Sequence, residues 1–99
     1  MTERFADDVV LQRASSALSR RLLSGVLVLV PGMSESLEIS VPGDLIWDLL
    51  AEPLTVADLV EALASSYGVS ARTVRADIEP VLRALDEAGA LSVTSALRE

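Results

Sequence analysis

The fold is decided by Ser36-Leu37-Glu38-Ile39-Ser40-Val41, the stretch in which polar and apolar residues alternate most strictly. Successive side chains of a β-strand point to opposite faces, so this alternation predicts a half-exposed strand. Two segments precede it, Leu18-Ser19-Arg20-Arg21-Leu22-Leu23 and Val26-Leu27-Val28-Leu29-Val30. The second is continuous and aliphatic, which is typical of a central strand with both faces covered. With Ser24-Gly25 as a two-residue hairpin turn, the three segments predict an antiparallel meander with residues 36–41 at its edge.

The period of the apolar residues becomes helical after Pro42. The stripe of the first predicted helix consists of Leu45, Ile46, Leu49 and Leu50. Trp47 lies on the flank of this stripe, and Pro53 ends the segment. Ser40 is a candidate cap, because a serine hydroxyl can accept a hydrogen bond from the first turn of a helix.

Two more helices are predicted, each with a polar cap before it and a glycine after it. Thr55 opens a capping box ahead of the second helix, and Gly68 follows that helix. Ser70 caps the third helix and Gly89 ends it. The apolar face of the third helix consists of Val74, Ile78, Val81, Leu85 and Ala88. Pro80 lies inside this pattern and predicts a kink or a break, because proline removes one backbone hydrogen bond.

The order of three strands followed by three helices predicts one α+β domain with a three-stranded antiparallel sheet. The last two helices and their short turn also fit a winged helix-turn-helix. We expect residues 1–17 to be a loose lead-in, within which Val9-Val10-Leu11 either pairs as an extended segment or docks on the core. The folded domain is predicted over residues 18–91, and residues 92–99 are expected to form a C-terminal tail.

Composition narrows the chemistry that the chain can perform. The 99 residues carry a net charge of −7, and they include no Cys and no His. Disulfides and thiolate metal sites are therefore excluded, and the commonest general base and metal ligand is missing. No phosphate-cradling glycine loop or metal-ligand cluster is visible. The sequence predicts a protein that is not an enzyme and needs neither metal nor cofactor.

The first residues contain no apolar segment of the kind that directs secretion. The longest apolar run, Val26 to Val30, is far too short to cross a bilayer. We therefore expect a cytoplasmic protein.

DNA binding is one alternative for the helix-turn-helix pattern. Gly68 to Arg75 resembles the turn and first residues of a recognition helix. The charged residues of the third helix, however, are Arg72, Arg75, Arg83, Asp77, Glu79, Asp86 and Glu87. This negative balance, on an acidic domain, opposes contact with a phosphate backbone, so nucleic acid is not an expected partner.

The edge strand offers a second kind of function. Unpaired backbone groups at an exposed edge can accept another extended chain by β-augmentation. On a helical wheel of the third helix, Leu82 lies off the core stripe, on the side of Arg75, Glu79 and Asp86. That side would suit a guest strand with apolar anchors. Alternatively, Leu82 widens the core stripe and the charges are ordinary surface; periodicity favours this second reading.

The succession of motifs resembles the PqqD family from about Leu18 to Leu91. Its most specific part is Gly43-Asp44-Leu45-Ile46-Trp47-Asp48-Leu49-Leu50, with Thr55 following. The resemblance also covers Tyr67-Gly68 and Asp77-Ile78-Glu79-Pro80-Val81-Leu82-Arg83-Ala84-Leu85. It implies a winged-helix-like RiPP recognition element, in which the leader of a ribosomally made precursor peptide lies as an added strand on the third strand, against the third helix.

The resemblance also implies which residues hold the leader. On the strand they are Ser36, Leu37, Glu38, Ile39 and Ser40. On the helix they are Arg75, Ile78, Glu79, Leu82 and Asp86. The implied partners are the precursor peptide and a separate modifying enzyme, such as a radical-SAM protein, a leader peptidase or a cyclase. A plain protein-interaction or dimerisation module, with a possible homodimer, stays open beside DNA binding.

Overall fold

Six strands and three helices form the protein in a computed structural model that describes residues 4–32 and 36–95. In chain order the elements are β1 (Val9–Arg13), β2 (Leu18–Leu22), β3 (Gly25–Leu29), β4 (Leu37–Ser40), α1 (Asp44–Leu49), β5 (Leu54–Thr55), α2 (Val56–Tyr67), α3 (Ala71–Glu87) and β6 (Leu91–Ser95). The predicted α+β class is confirmed. So is the meander, because β2, β3 and β4 pair antiparallel in that order.

The turn between β2 and β3 lies one residue earlier than predicted. Leu22 pairs with Gly25, so the two turn residues are Leu23 and Ser24. Gly25 has a φ of 152°, and a Cβ on it would overlap the carbonyl oxygen of Ile39. The glycine is thus required by the close approach of two strands rather than by the turn itself.

Only one face of β3 is fully covered, which corrects the expectation of a strand buried on both faces. Val26 and Val28 are buried, whereas Leu29 is 41% exposed. An uninterrupted aliphatic run cannot reveal this difference, because every position in it is compatible with burial.

A second sheet was not predicted. It has the order β5-β1-β6 with antiparallel pairing, and it includes residues from the expected lead-in and the expected tail. Residues 9–13 are therefore ordered strand rather than loose chain, with Val9 and Leu11 buried in the core. The pairing of Val10 with Thr94 joins opposite ends of the sequence, and no local pattern signals such a contact. The bounds of the peptide-binding domain, residues 18–91, stay a prediction.

The caps of α2 and α3 are confirmed, and that of α1 is wrong. Thr55 Oγ1 accepts from the backbone N–H of Asp58 at 3.0 Å, and Ser70 Oγ accepts from that of Thr73 at 3.1 Å. By contrast, α1 begins after Gly43 and has no side-chain cap. Ser40 cannot cap it, because β4 continues through this residue and the helix starts only at Asp44.

Pro80 does not break α3, which is continuous from Ala71 to Glu87. Proline removes the hydrogen bond to the carbonyl of the residue four positions earlier, here Ala76. Both Ala76 and Pro80 are exposed, so water can satisfy that carbonyl. The predicted break is wrong, whereas a kink there stays a prediction.

The core takes side chains from both sheets and all three helices. Trp47 is 1% exposed and belongs to this core, not to the flank of a stripe. The guanidinium of Arg13 lies 4.7 Å from the centre of its ring and donates from Nε to its carbonyl oxygen at 2.9 Å. Residues 4–32 and 36–95 contain no helix with the length and hydropathy needed to cross a bilayer.

Candidate functional site

The outer edge of β4 is open among the described residues, because β4 pairs only with β3. The N–H of Val41 donates to the carbonyl of Ser24 at 2.9 Å, in register with the β3–β4 ladder. Antiparallel residues alternate between hydrogen-bonded and non-hydrogen-bonded pairs, so Ile39 and Leu37 also direct their backbone groups toward β3. The N–H and C=O groups of Glu38 and Ser40 therefore point away from the sheet, toward the open edge.

A groove runs between this edge and α3 and encloses about 250 Å³. Its strand side and floor consist of Leu37, Glu38, Ile39, Ser40 and Gly43. Its helix side consists of Pro80, Val81 and Ala84. These three side chains carry no polar atoms, so this wall is apolar and provides no hydrogen-bonding side chain. The groove thus has two different sides. The edge of β4 can form backbone hydrogen bonds with another chain, whereas the apolar wall of α3 can provide only van der Waals contacts.

Charge at the groove is acidic. The side chain of Glu38 is exposed, and its Oε2 accepts from the Ser24 hydroxyl at 3.1 Å. In the part of the chain that the structure describes, no group of three or more carboxylates is placed to hold a metal ion. The groove thus combines an open backbone edge with one exposed carboxylate.

The structure brings together only part of the predicted site. Leu37, Glu38, Ile39 and Ser40 line the groove, and Ser36 is exposed immediately before β4. Their contact with a peptide stays a prediction.

The predicted helix residues lie on a different face of α3. Arg75, Ile78, Glu79 and Leu82 line a small cavity together with Phe5 and Val56. Leu82 is 1% exposed and Ile78 is 5% exposed, so neither is available as an anchor. Of the two interpretations of Leu82, the one in which it widens the core stripe is correct.

The segment before β1 covers that face of α3. Arg75 donates from Nη2 to the carbonyl oxygen of Phe5 at 2.6 Å and from Nη1 to Oδ1 of Asp7 at 2.9 Å. Arg4 donates from Nη2 to Oδ1 of Asp86 at 3.1 Å. This hydrogen bond and the charge of Asp86 raise the pKa of Arg4. Phe5 is itself buried and lines the same small cavity as Leu82, so this segment packs against that part of α3.

Sequence reasoning missed the helix wall of the groove. The apolar periodicity of α3 places Val81 in the core stripe, and Pro80 predicts only a kink or a break. A usable signal was present, since residues 80, 81 and 84 share one face by helical spacing and carry no charge. Half-burial of Val81 and Ala84 fits a wall that is packed on one side and open on the other.

Comparisons with known proteins identify one matching family and two similar solved structures. The family model described as Coenzyme PQQ synthesis protein D (PqqD) matches residues 25–91. One similar solved structure is TbiB1 in complex with the TbiA(beta) leader peptide, which is 26% identical with a TM-score of 0.72 and covers 82% of this chain and 94% of that chain.

A second similar structure is the PqqD truncation of Methylobacterium extorquens PqqCD, described as a functional, stand-alone RiPP recognition element. It is 19% identical with a TM-score of 0.68 and covers 84% of this chain and 88% of that chain. At this identity the likeness concerns the fold alone. The search of curated proteins found no match.

Proposed function

The chain belongs to the PqqD family, and from this membership we propose that it captures the leader segment of a ribosomally made precursor peptide. The leader adds to β4 as a further strand and packs against α3. The observation that carries the proposal is the juxtaposition of the open β4 edge with the apolar wall of Pro80, Val81 and Ala84. Backbone pairing supplies affinity with little demand on sequence, and the wall adds a place for apolar anchors.

The leader-bound state of TbiB1 supports this proposal, because that protein is similar over most of both chains. The groove lies along the open edge of β4, where an added strand would pair. Its polar groups are the outward-facing backbone groups of Glu38 and Ser40, which an extended peptide can satisfy and a compact ligand cannot.

The role of the domain is binding, and a partner enzyme supplies the chemistry. A radical-SAM protein, a leader peptidase or a cyclase fits this scheme. Holding the leader raises the effective concentration of the attached core peptide at the enzyme's active site. Binding of the leader therefore increases the rate at which the partner enzyme modifies the core peptide. No catalytic group is required in this chain.

The test is a titration of the isotopically labelled full chain with the leader peptide encoded beside its gene, followed by backbone NMR. We expect shift changes along residues 36–40 and 80–84. Changes confined to the face of Arg75 and Asp86 would contradict the proposal, as would the absence of any change at near-millimolar peptide.

A matched pair of proline substitutions isolates the strand contribution. Glu38→Pro removes an outward N–H, so binding should fall at least tenfold while the free energy of unfolding changes by under about 1 kcal/mol. Ile39→Pro removes an N–H that serves the β3–β4 ladder and should destabilise the fold by about 3 kcal/mol. Leader binding by folded Glu38→Pro at full affinity would rule out strand addition at this edge.

Two control measurements separate the alternative functions. DNA binding predicts affinity for duplex DNA with a steep salt dependence, lost on Arg72→Ala or Arg75→Ala. Self-association through the same edge predicts a concentration-dependent dimer in sedimentation equilibrium that Glu38→Pro abolishes.

A further inference from the structure

The side-chain directions in β4 dictate what an added strand needs at each position. Leu37 and Ile39 face inward, with Ile39 buried and Leu37 half-buried. Residues directly opposite each other on paired strands share a face of the sheet. Guest side chains opposite Leu37 and Ile39 therefore point to the apolar wall formed by Pro80, Val81 and Ala84. A polar group placed there would lose water and find no side-chain partner.

The guest residue between those two positions meets a different environment. It lies opposite Glu38, whose carboxylate is exposed and accepts one hydrogen bond, from Ser24. Cβ atoms of directly opposed residues are about 4.5–5.5 Å apart, so a Lys or Arg there reaches the carboxylate and a Glu or Asp is repelled. The face of the guest strand that carries this residue remains in contact with water.

Glu38 forms no ion pair among the residues that the structure describes. Leu27 is the neighbour of Glu38 on β3, and Arg20 is the neighbour of Leu27 on β2. Arg20 therefore lies two strand spacings away, about 9.5 Å. Arg83 lies next to the groove but does not line it, and it donates to Oε2 of Glu79 at 2.7 Å.

Two carboxylates flank the apolar helix wall of the groove without lining it. Asp77 precedes Val81 by one helical turn, and Glu87 follows Ala84 by three residues. Both carboxylates are exposed. With a net charge of −7 on the whole chain, the approach to the groove is favourable for a cationic segment.

We propose that the groove selects leader segments in which a Lys or Arg lies between two apolar residues. The basic residue stands opposite Glu38, and the apolar residues stand opposite Leu37 and Ile39. This inference rests on the proposed function and adds the chemical class of the peptide that the site takes. Glu38 is thereby a specificity residue, in addition to its backbone role at the edge.

The experiment is a selection of random twelve-residue peptides by messenger-RNA display against the full chain. Parallel selections use Glu38→Lys and, as a control of equal charge change, Glu52→Lys, an exposed residue outside the groove. Only peptides that fail to bind Glu38→Pro are counted, which restricts the readout to the edge of β4. We expect the apolar-basic-apolar pattern with the native chain and Glu52→Lys, and an acidic central residue with Glu38→Lys.

Affinities of one enriched peptide and its central Lys→Glu variant complete the test. The variant should bind the native chain about three- to tenfold more weakly, and the preference should reverse on Glu38→Lys. Enrichment with no charge preference at the centre overturns the inference and leaves strand addition intact. An equal effect of Glu52→Lys also overturns it, because bulk charge then explains the preference. If no peptide is enriched, strand addition fails together with the inference.

Discussion

Two faces of α3 contrast sharply in what covers them. One face carries Leu82 and Arg75 and is covered by the segment around Phe5. The other carries Val81 and Ala84 and opens on the groove beside β4. On a helical wheel the first face looks the better suited to a peptide, because it combines an apolar residue with charges, whereas the second carries small, uncharged residues.

A helical wheel shows which residues of α3 share a face. It does not show which part of the chain packs on that face. The apolar residue that looked like an anchor, Leu82, is buried, and a distant segment of the chain packs beside it. The wall that remains open is made of residues too small and too neutral to attract notice. The following changes test this contrast, from the largest expected effect to the smallest.

The largest effect is expected for Leu82→Asp. It places an unpaired charge at a position that is 1% exposed and should cost more than about 4 kcal/mol of unfolding free energy. The matched change on the open face is Ala84→Asp, which should cost under about 1 kcal/mol but weaken leader binding at least tenfold. Urea unfolding and peptide titration of both variants provide the measurement. Equal destabilisation would show that the two faces do not differ in burial.

Gly25→Ala should have the next largest effect. Its Cβ would overlap the Ile39 carbonyl oxygen, and the φ of 152° is one that alanine rarely adopts. We expect a loss of about 2 kcal/mol or more and faster amide exchange in β4 than in α3. Gly32→Ala is the control, because Gly32 also has positive φ but an added Cβ there meets no atom within 4 Å. If the two variants lose equal free energy of unfolding, the cost comes from the positive φ alone and not from the overlap with Ile39.

Arg75→Ala examines the closed face without touching the core. It removes an ion pair to Asp7 and a hydrogen bond to the Phe5 carbonyl, so the expected loss is about 1 kcal/mol. Leader affinity should stay within twofold of the native value, because the groove is lined by other residues. A tenfold loss of leader affinity would indicate that the leader binds to this face of α3 instead.

The smallest expected effect is a pH dependence of stability that arises from Tyr67, which contacts Pro42 in the loop between β4 and α1. Tyr67 donates its hydroxyl to the carbonyl oxygen of Pro42 at 2.6 Å, and burial, followed by the charge of Asp44, raises the pKa of Tyr67. A raised folded-state pKa contributes stability that is present below the ordinary value near 10 and lost as pH rises through the folded value. Tyr67→Phe should flatten the decline of thermal stability above pH 10, and an unchanged slope would contradict this assignment.

Much of the fold could be predicted because its signals are local. Alternation over residues 36–41 identified the edge strand, and caps at Thr55 and Ser70 fixed the starts of two helices. The second sheet escaped prediction because β1 and β6 pair across nearly the whole chain. The burial of Leu82 escaped prediction for a related reason, since Phe5, which lines the same cavity, is far away in sequence.

The pairing of β1 with β6 has a consequence for engineering. Val9 lies opposite Ser95, so the chain enters and leaves this sheet at the same place. A unit whose entry and exit points are adjacent can be placed within a surface loop of another protein without stretching either one. With residues 4–8 retained, because Phe5 is buried in the core, linkers would present the domain as a graft on a host enzyme. Because β4 belongs to the other sheet, its edge would remain accessible to a substrate.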